Sequence, residues 1–149
     1  MITNTDAVTV FNGRTDKGTR RKVFIPTVIW GVSYVEGKGS TVADNGVWSD
    51  DVQYKIRVPL TAVVQDNREY MRDLNYAKLD DKEAAKYWTV QKGDFVIRGE
   101  YAGGGPVLYE DELTTYVKEQ GLDLIRITEY ADNTSGGSLY TRHWRIGGK

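Results

Sequence analysis

Histidine occurs once in this 149-residue chain, at position 143, and cysteine does not occur at all. Any general base, metal site or activated nucleophile would have to be assembled almost entirely from carboxylates. Their spacing does not suit that work. Asp50-Asp51 and Asp80-Asp81 are adjacent pairs, whose side chains diverge on regular backbone, and they read as a loop end and a helix start. Glu110-Asp111-Glu112 reads as favourable charge in the first turn of a helix. Gly103-Gly104-Gly105-Pro106 is glycine-rich but lacks the Lys-Ser/Thr that follows the glycines of a phosphate loop. His143, set between Arg142 and Trp144 in a strand pattern, reads as structural. These residues predict no catalytic, metal or cofactor site.

Two other groups could carry binding. Arg14, Lys17, Arg20, Arg21 and Lys22 stand against Asp16 alone, which makes a basic hairpin tip. Such a tip either meets phosphates or an acidic partner, or is a solvated turn whose charges discourage edge-to-edge aggregation. Residues 36–51 include Gly37, Lys38, Gly39, Asn45, Val47 and Trp48 and follow neither hydrophobic period, so they read as a long loop between strands. Loops of about fifteen residues are uncommon in compact domains and are usually functional or disordered, which makes this the first candidate for partner contact. Two roles are open to Trp48: pinning the loop to the body, or facing a partner.

Composition bounds the rest. A single domain of this length buries enough surface to fold without staples. Twenty basic against twenty-one acidic residues leave no global field to draw the chain onto DNA or lipid. No apolar run approaches the roughly 20 residues that span a bilayer, and the N-terminal residues lack the charged and apolar regions of an export signal. The expectation is a soluble chain made in a reducing cytoplasm.

The elements that would position these groups are mainly strands. Val52, Tyr54, Ile56, Val58 and Leu60 alternate with Gln53, Lys55, Arg57 and Pro59, the period of a strand with one face on a core. Residues 7–12 make a shorter strand with Val8 and Val10 on one face. Residues 20–35 make a long strand in which Pro26 argues for an edge or a bulge, with Val28, Trp30, Val32 and Tyr34 together on one face. Residues 61–78 have poor periodicity and read as a second excursion. A short helix follows over residues 80–87, with Asp80 as cap, and residues 88–101 return to strand with a turn at Lys92-Gly93-Asp94. Residues 109–120 form the best helix, with Gly121 as its C-terminal stop. Residues 122–130 and 139–146 form a closing hairpin around a polar loop at 131–138. The sum is an antiparallel small β-barrel or sandwich with one or two short helices and long inter-strand loops.

The order Val8-Thr9-Val10-Phe11-Asn12, Arg20 to Lys22, Thr27-Val28-Ile29-Trp30-Gly31-Val32 and the alternating strand to Pro59 resembles small structural proteins of tailed bacteriophages. Tyr87 to Glu100 and the closing His143-Trp144-Arg145-Ile146-Gly147-Gly148 look like the same group. Within it, the Gly-Asp turn leading into a strand and the final hairpin bearing Trp are similar to head-closure, or stopper, proteins of the neck. That resemblance implies a non-enzymatic subunit of a homo-oligomeric ring that retains packaged DNA. Its partners would be portal and adaptor proteins on the head side and a tail terminator or tail tube on the other, with non-specific DNA contact in the lumen. The two excursions make this chain larger than a minimal stopper. A tail-completion or tail-terminator subunit, and a small prophage-encoded host-directed binding protein, are the alternatives.

Overall fold

The computed structural model describes residues 6–42, 48–103, 105–135, 137–138 and 141–149, with side chains described outside 38–42 and 48–51. In chain order the elements are strands β1 (Asp6–Thr15), β2 (Lys22–Val42), β3 (Trp48–Pro59), β4 (Val63–Val64) and β5 (Glu69–Tyr70). Helices α1 (Asp73–Tyr76) and α2 (Asp81–Ala84) follow, then strands β6 (Tyr87–Trp88) and β7 (Phe95–Arg98). Helix α3 (Glu110–Gln120) precedes β8 (Ile125–Asn133) and β9 (His143–Gly148).

Six of the strands close on themselves. The order β1-β7-β8-β9-β3-β2 runs antiparallel, and β2 pairs back onto β1, so the chain forms a six-stranded antiparallel barrel with β4 as an extra strand along β2. Alternation puts β-branched side chains inside. Val8 and Val10 of β1, Ile56 and Val58 of β3, Ile127 of β8 and Ile146 of β9 are all at most 1% exposed. Burying each contributes about 1.5–3 kcal/mol, which is where most of the barrel's stability resides. Trp88 plugs the same core beside Val90.

A second core lies outside the barrel wall. Phe11, Phe24 and Phe95 face outward, and α3 covers them with Leu113 and Val117. The helix begins where Glu112 Oε1 accepts from the Tyr109 N–H at 3.0 Å, and it stops at Gly121, whose φ of 66° is the left-handed conformation glycine adopts without strain. Helix α2 starts as its sequence suggests, with Asp80 Oδ1 accepting from Glu83 N at 2.7 Å.

Several boundaries differ from the sequence reading. The second strand begins at Lys22 and runs 21 residues to Val42. Within it Gly31, at φ 84°, makes a bulge: Asp6 pairs with Val32 but Ala7 with Trp30. The extra residue reverses the faces. Val32 and Tyr34 lie toward the barrel core as expected, while ahead of the bulge it is Ile29, rather than Val28 or Trp30, that joins that core. Pro26 is borne out as an edge residue. Its carbonyl accepts from Arg68 Nη1 on the side away from β1, so the missing N–H removes no ladder bond. Residues 88–101 split into β6, which pairs in parallel with β5, and β7. The closing hairpin is shifted, so that residues 131–133 belong to β8.

Candidate functional site

The segment read as a loop is a ribbon. Strand β2 pairs with β1 up to Val32 and then changes partner to β3, in a register that runs from Ser33 opposite Arg57 to Val42 opposite Trp48. Strand β9 accompanies β3 only from Tyr54 to Pro59. The six pairs from Gly37 opposite Gln53 to Val42 opposite Trp48 therefore have no further strand beside them among the described residues. At about 3.3 Å per residue this two-stranded arm extends roughly 20 Å beyond the sheet that holds its base. Neither of its edges is paired among the described residues, and a lone two-stranded ribbon is marginally stable in water, so another surface beside it would complete its hydrogen bonding. Of the predicted contact residues, Gly37, Lys38 and Gly39 lie along the β2 side and Trp48 opens the β3 side, while Asn45 and Val47 lie outside the described residues.

The basic β1–β2 turn is largely committed to its own fold. Arg14 pairs with Asp81 at 3.0 Å and lies over the Tyr76 ring. Arg21 stacks on Tyr109 at 3.8 Å from the ring centroid, and Lys22 approaches the Phe24 ring. Asp16 shapes the turn by accepting from Gly18 N and Thr19 Oγ1, and these bonds hold its carboxyl below the usual carboxylate range. Lys17 and Arg20 are left in solvent, so the structure separates the five cations that the sequence grouped and does not build one patch from them.

Beneath this hairpin lies a buried polar clamp with no sequence signal of its own. Asp94, 2% exposed, accepts from Gly13 N, Asn12 Nδ2 and Gln91 Nε2 at 3.1, 3.2 and 2.8 Å. Asn12 in turn bonds the backbone of Thr89 through both ends of its amide. Burial pushes the Asp94 carboxyl up to about 6, against the opposing pull of those donors and of the Lys22 charge. The clamp ties β1 to the segment entering β7, a structural task.

Residues 61–78 fold back on the barrel and make a cleft there. Its volume is about 590 Å³, and its floor is the aromatic trio Tyr70, Trp88 and Trp144, whose centroids lie 4.9–5.1 Å apart. Burial, with Asp132 nearby, pushes the Tyr70 hydroxyl up to about 12, so it stays a neutral donor. His143 lies outside this cleft, its ring between the Thr141 carbonyl and the Asn133 amide. Among the described residues no group of three or more His, Asp or Glu gathers at metal-binding distance, and no helix is long and apolar enough to cross a membrane.

The model of a family of unknown function, DUF6751, matches residues 2–149. The chain belongs to DUF6751. No curated protein and no solved structure matches it. In this DUF6751 chain the feature most suited to external contact is the ribbon, which joins Gly37, Lys38, Gly39 and Trp48 on one arm and leaves the basic turn elsewhere. What the sequence reading missed was pairing. The near-matched lengths of polar chain on either side of the 43–47 segment were the available signal.

Proposed function

We propose that this chain is a structural subunit of the neck of a tailed bacteriophage, where a ring of copies closes the DNA-filled head and docks the tail. The observation that supports this reading most is the arm: a small closed barrel carries a paired ribbon whose two backbone edges have no strand beside them among the described residues, a device for contact between proteins rather than for chemistry. A rigid barrel can hold such an arm in one orientation in every copy. Portal or adaptor proteins would lie on one side of the ring and a tail terminator or tail tube on the other, with packaged DNA in the lumen. The tail-terminator alternative calls for helices covering one face of an open sheet. The closure of β2 onto β1 weighs against it, and so does the placement of α1 and α2 apart from α3.

Electron microscopy of a lysate from a phage lacking this gene tests the proposal. The expected result is tail-less heads that have lost their DNA beside free finished tails. Abnormally long tails would transfer the chain to the terminator, and normal particles would remove it from the neck.

A further inference from the structure

The outer face of the barrel where β3 meets β9 carries like charges that form no ion pair among the described residues. Tyr54, Ile56 and Val58 are buried in the core, so Lys55 and Arg57 face outward, and Ile146 places Arg145 on the same outer side. The register sets Arg57 opposite Arg145, with Ser33 and Ala131 completing that row and no acid in it. Side chains opposite each other on an antiparallel pair have Cβ atoms about 5 Å apart, where like charges destabilise. Arg57 gives one donor to the Thr141 carbonyl at 3.3 Å, and neither arginine forms an ion pair among the described residues. One row along on the same face, Glu129 lies over Gly147, opposite Lys55 and diagonal to Arg145, and it forms no ion pair with either arginine among the described residues, so one acid stands there against Lys55, Arg57 and Arg145.

The ribbon has the opposite sign. Its two strands hold Asp50 and Asp51 against Lys38. It cannot serve its own arginines, because Asp50 and Arg57 are seven residues apart on one extended strand, about 23 Å. We propose that the ribbon of one copy docks on the Arg57 and Arg145 face of a second copy, its acids supplying the counter-charge that face lacks. Ribbon and face are different patches of the same chain. Such a heterologous contact propagates head to tail and closes into a ring when the rotation allows. The inference rests on the ring reading of the function and adds the two surfaces that make the ring.

Charge reversal tests it with the full chain. Purified wild-type protein should self-associate at low ionic strength in sedimentation velocity, and added salt should weaken the association. A variant carrying Arg57→Glu and Arg145→Glu, and a separate variant carrying Asp50→Lys and Asp51→Lys, should each associate at least about tenfold more weakly, with unchanged circular dichroism. Mixing the two variants should restore association, because each acidic surface then meets a basic one. A wild-type chain that stays monomeric at low salt overturns the contact, as do two folded variants that fail to rescue each other. Association that survives the arginine reversal while binding to a short DNA duplex is lost would assign the face to nucleic acid and also overturn it. The neck reading fails separately: a chain that associates in this way but is absent from purified virions keeps the contact and loses the neck. A virion protein that ignores both reversals does the opposite.

Discussion

Residues 61–78 and the ribbon are both long polar departures from the barrel, and they have opposite relations to it. The first returns and is held by side chains that are buried or half-buried. Gln65 accepts from Val28 N at 3.1 Å, Arg68 donates to the Pro26 carbonyl and to Thr27 Oγ1 at 2.8 and 2.7 Å, and Tyr76 packs with Ile25 and Ala84. Together they cover the edge of β2 that β1 leaves open. The ribbon has no such anchors among the described residues: its strands pair with each other and then with nothing. A segment that seals an edge belongs to the folded monomer, whereas one that offers two edges awaits a partner. Excursion length alone does not separate these roles; the destination of the backbone hydrogen bonds does.

Substitutions can break or sharpen that contrast. The largest effect is expected at Trp88, 1% exposed and packed against both Tyr70 and Trp144, because the cleft and the barrel core share it. Trp88→Ala should lower stability by about 3–5 kcal/mol in urea or guanidinium titrations. Arg68→Ala should cost about 2–3 kcal/mol by the same measurement, since it leaves the Pro26 carbonyl and the Thr27 hydroxyl without their partner at a covered edge. A loss under 0.5 kcal/mol would mean that the excursion merely rests on β2.

The clamp beneath the β1–β2 hairpin adds a pH signature. The native Asp94 carboxyl is pushed up to about 6 from an ordinary value of 3.8, so native protein binds this proton more tightly than unfolded chain does. The stabilisation is complete below about pH 4 and is lost as pH rises through about 6, amounting to roughly 2–3 kcal/mol. Denaturation midpoints measured across this range should show that decline, and Asp94→Asn should flatten it. A smaller contrast lies within the basic turn. Arg14→Ala, which removes the Asp81 pair and the contact with Tyr76, should cost about 1 kcal/mol, whereas Lys17→Ala should stay within about 0.5 kcal/mol in thermal melts.

Elements with one face on a core were legible in the sequence. The alternation from Val52 to Val58 and the run from Tyr109 to Gly121 report burial directly, because a half-buried strand or helix must repeat its apolar residues at its own period. The ribbon was not legible for the same reason. A two-stranded arm without a core beneath it imposes no apolar period, so residues 36–51 look like a loop although residues 36–42 and 48–51 are strand. Gly31 hid a second feature. One bulge residue shifts the inward set from Ile29 to Val32, and a strictly alternating reading carried through it assigns half the strand to the wrong face. The Asp94 clamp was illegible because its members, Asn12, Gly13, Gln91 and Asp94, converge only when β1 meets the segment before β7.

The most direct measurement replaces residues 38–52 with a two-residue hairpin turn and follows thermal stability and self-association in one sample series. If the ribbon is an assembly device, the shortened chain should melt within a few degrees of wild type and lose association at low salt. A shortened chain that unfolds far earlier, or associates as wild type does, would contradict the distinction drawn between the arm that projects and the excursion that seals.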